Sequence, residues 1–237
     1  MSSPWHRVVV KLSGEALMGS CTHGLHAETV ARIAADLACS ARLGVEIAVV
    51  VGGGNFFRGI QGADTGVERA RADSIGMLAT VMNALALEQA IEGQGQACRA
   101  LSAIAMPSVC QPYSRQAALN HLAKGRVVVL AGGTGNPFFT TDTGAALRAA
   151  ELSADAVMKA TQVDGIYTAD PKKHPSALRY ERLTHDEAIE KNLQIMDTAA
   201  FALARDNRIP IIVFSIAEPG AICGALEGRN RSTIVVP

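Results

Sequence analysis

Two short apolar runs in this chain end in consecutive glycines, and that limits the folds open to it. Residues 45–51 lead into Gly52-Gly53-Gly54-Asn55-Phe56-Phe57-Arg58-Gly59. Residues 126–131 lead into Gly132-Gly133-Thr134-Gly135-Asn136-Pro137-Phe138-Phe139-Thr140-Thr141-Asp142. A run of Val, Ile and Leu closing on glycines reads as a buried strand whose exit lets backbone N–H groups approach a ligand closely. Bends of that kind, feeding helix N-termini, favour anions and phosphate above all. A third bend, Lys11-Leu12-Ser13-Gly14, ends the first strand and sets a lysine nearby. Three such loops with cations beside them predict a site for more than one phosphorylated molecule.

The rest of the chain repeats the same alternation. Strands are predicted at 7–12, 45–51, 98–101, 126–130, 156–159, 211–214 and 232–236. Helices are predicted at 27–42, 67–92, 115–122, 142–152, 184–190, 198–207 and 219–226. Val30, Ile33, Ala34 and Leu37 share one helix face. Ile75, Leu78, Met82 and Leu85 form a stripe on the long second helix, and by pattern alone that stripe packs on the sheet. Residues 161–179 are polar and turn-rich, an extended loop or small hairpin. The expected fold is therefore α/β, a three-layer α/β/α sandwich around a mostly parallel sheet. A single domain over 1–237 is expected, with two lobes meeting near residue 155.

Composition narrows the chemistry. Hydrophobic residues make up 49% of the chain and aromatic residues 4%, so Ala, Val, Ile and Leu must build the core. Acidic and basic residues balance at 22 each, which leaves no global field for nucleic acid or an anionic membrane. The five cysteines are scattered without a C-x-x-C pair and read as reduced, mostly packed thiols. No signal peptide or obvious span of about 20 apolar residues stands out, so a soluble, cytoplasmic protein is expected. The histidines lack metal-ligand spacing, and no protein-held metal is expected.

Familiar nucleotide fingerprints are missing. Phe57 and Phe138 stand where a G-x-G-x-x-G motif needs its third glycine, and Gly-Lys occurs nowhere, which excludes a Walker loop. Four motifs occur in order instead: Val9-Val10-Lys11-Leu12-Ser13-Gly14-Glu15, the 52–59 loop, the 133–142 loop, and Lys159-Ala160-Thr161-Gln162-Val163-Asp164-Gly165-Ile166-Tyr167-Thr168-Ala169-Asp170-Pro171. With Met77–Asn83 and Met196–Ala200 between and after them, they resemble the amino-acid-kinase superfamily, most closely its bacterial UMP-kinase branch. The resemblance spans essentially the whole chain. It implies transfer of the ATP γ-phosphoryl group to UMP with Mg²⁺ carried on ATP. It also implies a homohexamer built from dimers, activation by GTP and inhibition by UTP.

The same resemblance distributes roles among residues. Lys11, Lys159 and Asp142 would be catalytic. Lys11, Leu12, Ser13, Gly14, Gly54, Arg58, Thr161, Tyr167 and Asp170 would face ATP. Gly53, Asp73, Thr134, Gly135, Asn136, Pro137, Phe138, Phe139, Thr140 and Thr141 would face UMP. Physical chemistry supports part of this by itself. A fixed ammonium lowers the barrier for a phosphoryl group that spreads charge over its oxygens. Asp142 is equally at home as a helix cap or first-turn acid, or as the group that orients Lys11 or holds Mg²⁺ through water. Asp73, among Arg69 and Arg71, also suits a solvated helix face. Three glycines in succession exceed what a turn requires, which favours close approach by phosphate.

One segment departs from the family pattern. Met18-Gly19-Ser20-Cys21-Thr22-His23-Gly24-Leu25-His26 lacks a glycine and the Gly-Ile-Asp ending usual there, which bears on GTP activation. Two other readings stay open on sequence: a superfamily kinase acting on a carboxylate or carbamate, and a non-catalytic oxyanion-binding protein on the same fold.

Overall fold

Short apolar strands alternating with helices bury both faces of one sheet. The computed structural model describes residues 4–57, 66–171, 173–193 and 195–237. β1 (Arg7–Leu12), β2 (Glu46–Val51), β3 (Cys98–Ser102), β4 (Gln111–Pro112), β5 (Val127–Ala131), β6 (Ala156–Thr161), β9 (Arg182–Thr184), β10 (Ile211–Ser215) and β11 (Ser232–Val236) share a nine-stranded sheet. Its order is β4-β3-β5-β2-β1-β6-β10-β11-β9. All neighbours are parallel except β10 and β11. β7 (Ile166–Tyr167) and β8 (Arg179–Tyr180) pair separately as an antiparallel hairpin, one of the two forms expected for that polar stretch.

Helices cover the sheet on both sides. α1 (Ala27–Ala41), α2 (Arg69–Gly93) and α7 (Ala221–Leu226) pack with Val8, Val10, Leu12, Met158 and Phe214. α3 (Arg115–Leu122), α4 (Thr141–Leu152), α5 (His185–Glu190) and α6 (Thr198–Asp206) cover the opposite core of Val9, Val157, Ile211 and Val213. The three-layer sandwich predicted from alternation is the observed fold. Val30, Ile33, Ala34 and Leu37 of α1 are buried as their spacing requires.

Helix α2 departs from its pattern. Ile75, Leu78 and Met82 are 40%, 46% and 51% exposed, while the buried side consists of Ala72, Ala79, Thr80, Val81, Asn83, Ala84, Leu87 and Ile91. Three residues of the predicted stripe therefore point outward, while Leu85 packs partly buried against the core. The cause is steric: in its first half the inner face lies against the glycine loop after β2, where Gly76, Ala79 and Thr80 are in close contact with Gly53. Helix α2 is also long and apolar enough to cross a membrane by length and composition, which corrects the expectation that no stretch approaches a span. Its Asn83 and Thr80 hydrogen-bond to the glycine loops inside the fold, so it is a packed element of this sandwich.

Smaller differences have equally local causes. β4 and β9, two and three residues long, are too short to show a period. Gly14–Leu17 forms a 3₁₀ turn capped by the Ser13 hydroxyl, which accepts from the Ala16 N–H. The last helix begins at Ala221 behind a left-handed Gly220, so Pro219 precedes it rather than opening its first turn. Cys21 and Cys39 are exposed, which leaves the thiols less packed than composition suggested.

Candidate active site

Side chains alternate across a strand, and that alternation sends two lysines to one face. Val8, Val10 and Leu12 of β1 enter the first core and Val9 the second, which puts Lys11 on the α4 side. In β6, Ala156, Met158 and Ala160 enter the first core and Val157 the second, so Lys159 shares the face of Lys11. The parallel register sets Lys11 directly opposite Lys159. Neighbouring strands lie about 4.8 Å apart, and two buried ammonium groups at that spacing repel strongly.

Asp142 resolves the conflict. Its Oδ1 lies 2.7 Å from Lys11 Nζ and its Oδ2 lies 2.6 Å from Lys159 Nζ. The carboxylate is held in the first turn of α4, whose cap is Thr140: that hydroxyl accepts from the N–H groups of Asp142 at 3.1 Å and Thr143 at 3.3 Å. The cap is thus Thr140 rather than Asp142. The Thr140 hydroxyl in turn donates to Asp197, which also accepts from Thr143 Oγ1 at 2.8 Å. Burial pushes the Asp142 carboxyl up, but Lys11 and Lys159 together outweigh it and hold the group below the usual carboxylate range. Burial, followed by repulsion from Lys11, brings Lys159 down to about 8 against the pull of Asp142. Both lysines are only 7% exposed.

The glycine loops meet beside this junction. A Cβ on Gly14 would lie 2.4 Å from Asn55 Oδ1 and 2.7 Å from the Gly54 nitrogen, and one on Gly52 would lie 2.9 Å from the Gly14 nitrogen. A Cβ on Gly53 would lie 2.7 Å from the Gly76 carbonyl oxygen of α2. Close approach by phosphate is therefore not what Gly52 and Gly53 require: backbone packing already demands them. Gly54 is different, with open space where its Cβ would be. A buried amide pair locks the loop down. Asn83 Nδ2 donates to the Gly52 carbonyl at 2.7 Å and to Asn55 Oδ1 at 2.7 Å, while Asn55 Nδ2 donates back to Asn83 Oδ1 at 2.9 Å.

Two clefts contain most of the residues predicted to meet substrates, the first beside the junction at Thr140 and Thr141. The first, about 150 Å³, is lined by Gly53, Asp73, Thr134, Asn136, Phe139, Thr140 and Thr141 together with Phe57, Met77, Thr80 and Gly133. Most of the residues expected to face an acceptor are therefore gathered in one place. Gly135, Pro137 and Phe138 belong to the same loop without lining the cleft. Phe138 sits at φ 72°, in the left-handed region unusual for a bulky residue, and its N–H donates to Asp73 Oδ2 at 2.8 Å. Asp73 also accepts twice from Arg69 Nε at 3.0 Å, so the bland partner predicted for it is present as well.

The second cleft, about 480 Å³, is lined by Tyr167, Asp170 and their neighbours on one side and by Lys191, Asn192, Leu193 and Ile195 on the other. Tyr167 donates its hydroxyl to Asp164 Oδ1 at 2.5 Å. Thr161 lies at the inner end of β6 and spends its hydroxyl on the Val163 carbonyl at 2.6 Å. Ser13 is occupied as a cap, and the Leu12 side chain is fully buried on the opposite face of the sheet. Leu12 therefore offers only its backbone to a nucleotide, and its carbonyl already accepts from the Gly52 N–H at 2.8 Å. Arg58 lies outside the described residues.

Several supporting residues had escaped a role. Asn55 and Asn83 lie inside two of the motifs but had no role there, and their pairing in space supplies one. Asp197 had a signal, since Asp-Thr-Ala-Ala reads as a helix start. Arg148, 5% exposed, donates to the Gly133 carbonyl at 3.0 Å and to Glu151 at 2.7 Å while stacking on the Tyr113 ring at 3.9 Å. It fixes the base of the second glycine loop.

A doubly covered, mostly parallel sheet that presents two ammonium groups and a carboxylate beside glycine loops and a cleft is the architecture of a small-molecule kinase working without a Walker loop. Comparison with known proteins agrees. The profile of the amino acid kinase family matches residues 6–215, and the chain belongs to that family. It is 63% identical over 234 residues to a uridylate kinase of Azorhizobium caulinodans, covering 99% of this chain and 98% of the relative. It is 61% identical over 231 residues to a uridylate kinase of Nitrobacter hamburgensis, covering 98% and 97%. Among solved structures, the UMP kinase of Bacillus anthracis superposes with a TM-score of 0.94 at 37% identity, covering 98% of this chain and 96% of that one. The UMP kinase of Ureaplasma parvum gives 0.94 at 35% identity, covering 98% and 99%.

Proposed function

We propose that this chain transfers the γ-phosphoryl group of ATP to UMP, giving UDP and ADP. The observation that carries the reading is the Lys11–Asp142–Lys159 arrangement near the ends of adjacent parallel strands, next to the cleft that Thr140 and Thr141 line. The near full-length likeness to uridylate kinases supplies the acceptor. UMP would occupy the cleft lined by Asp73, Thr134 and Thr140, and ATP the cleft lined by Tyr167 and Asp170. On this reading, the two lobes expected about residue 155 would each hold one substrate.

The acceptor explains why the junction holds cations rather than a base. A phosphate monoester has its second pKa near about 6, so it enters as a ready nucleophile and needs no proton removed. The obstacle is charge. As the γ-phosphoryl group passes between two phosphates, Lys11 and Lys159 neutralise its oxygens, and Asp142 keeps the two ammonium groups from drifting apart. Phosphate oxygens would take over part of the lysines' pairing when substrates bind. Mg²⁺ fits here as a passenger. Both Asp142 oxygens are paired with lysine ammonium groups, so the ion would be held mainly by phosphate and water. Bound there, it would neutralise part of the polyphosphate charge. Homohexamer formation, GTP activation and UTP inhibition belong to the same reading, as does a cytoplasmic location. The exposed Ile75–Leu78–Met82 face of α2 supports assembly, and the altered 18–26 segment makes GTP the regulator most worth titrating.

Coupled ADP release with UMP, CMP, dCMP, aspartate and acetylglutamate as acceptors tests the assignment, each with and without Mg²⁺. UMP should be strongly preferred, and Lys11→Ala should lower kcat by roughly 10²–10³ with little change in UMP affinity. Turnover of an amino acid but not of UMP would overturn the proposal.

A further inference from the structure

On the face of the sheet turned away from the lysine pair, α1 and α7 meet along a polar seam. Asp36 accepts from the N–H groups of Ile222 at 2.8 Å and Cys223 at 3.1 Å. Arg32, one turn earlier, donates to the carbonyls of Ile216 at 3.0 Å and Glu218 at 3.3 Å. One turn beyond Asp36, Cys39 places its Sγ 3.4 Å from the Sγ of Cys223, a residue 184 positions away in sequence. Cys39 is exposed, whereas Cys223 is 7% exposed. Both line an open cleft of about 430 Å³ that also carries Arg229 and Arg231.

We propose that Cys39 and Cys223 form a reversible intramolecular disulfide when the protein meets a peroxide, and that this bond fastens α7 to α1. The geometry supplies each requirement. Solvent, and with it a peroxide, reaches the exposed Cys39 through the cleft. Burial, with Cys39 next to it, pushes the Cys223 thiol up to about 11, so oxidation starts at Cys39. Cys39 sulfur attacks the peroxide; a sulfur–oxygen bond forms, the oxygen–oxygen bond breaks, and sulfur gives up two electrons. Cys223 sulfur then attacks the Cys39 sulfenic sulfur. The sulfur–sulfur bond forms, and the hydroxyl group leaves as water with the proton of the Cys223 thiol. Two thiols and one peroxide thus give one disulfide, one water and the reduced peroxide fragment. The hydrogen bonds from Asp36 to α7 hold the helix in place throughout, so the sulfurs need only a short approach to reach a bond of about 2.05 Å.

The consequence reaches β6. Ile216, held by Arg32, donates its N–H to the Thr161 carbonyl at 2.9 Å, so the cross-link braces the strand that carries Lys159.

The test uses the purified full chain treated with a small excess of hydrogen peroxide, followed by alkylation, intact mass and non-reducing peptide mapping. The expected result is a mass loss of about 2 Da and a Cys39–Cys223 peptide. Titratable thiols should fall from five to three, and dithiothreitol should restore all five. Melting should rise by about 5–10 °C in the oxidised protein. C39S, at an exposed position, and C223S should each abolish the peptide and the shift, whereas C21S should retain both. Peptides joining Cys39 residues of two chains would overturn the proposal. So would Cys39 carried to a sulfinic acid while Cys223 still takes up alkylating reagent after denaturation.

Discussion

Lys159 gives the junction a pH signature. Burial and Lys11 bring it to about 8, below the ordinary lysine value of 10.5, so its ammonium is present below about 8 and lost above. The free-enzyme profile of kcat/KM for ATP should therefore fall through an alkaline limb near that value. Stability moves the other way. Between about 8 and 10.5 the unfolded chain binds more protons at this position than the folded one, so this group makes unfolding less favourable as pH rises there. Loss of activity in that window is then not loss of fold, which circular dichroism can check. Lys159→Arg keeps its charge throughout and should remove the limb, even where the bulkier guanidinium lowers kcat. A limb that persists unchanged in Lys159→Arg would assign it to another group. Both lysines were visible in the sequence as cations closing apolar runs. Their mutual contact was not, because it depends on the register between strands nearly 150 residues apart in the chain.

At the scale of the element, the glycine loop after β2 does two jobs that a run of three glycines cannot distinguish by itself. Gly53 packs against the Gly76 carbonyl and Ala79 of α2, whereas Gly54 faces open space. Gly53→Ala should cost about 1–3 kcal/mol of stability through overpacking against helix backbone. Gly54→Ala should leave stability within about 0.5 kcal/mol and instead raise KM for nucleotide. Thermal melts alongside initial-rate kinetics separate the two, and equal melting losses would refute the distinction. The reason for α2's inverted face is the same contact. Large residues at Ile75, Leu78 and Met82 look like a core stripe, but the space beneath the helix is taken by loop backbone and by the Asn55–Asn83 amide pair. Periodicity reports which residues share a face. It does not report which face has room for them.

Across the whole molecule, that outward stripe is the feature most in need of a partner. Exposed Ile75, Leu78 and Met82 along one side of α2 suit contact with a second copy of the chain. Leu78→Glu with Met82→Glu should lower the assembled mass in sedimentation velocity while changing the stability of the isolated subunit by only about 0.5 kcal/mol. An unchanged mass would exclude this face from the assembly. The amino-acid sequence by itself determined the layers, the order of strands and helices along the chain, and the glycine bends that close the strands. Those follow from local rules, since strand and helix periods and glycine bends are written in neighbouring residues. Tertiary structure alone decided which charged groups share a face and which helix surface is left bare. It also decided that Asp142 joins two lysines and that Cys39 touches Cys223. These depend on strand register and helix docking, which the short-range pattern of a chain does not encode.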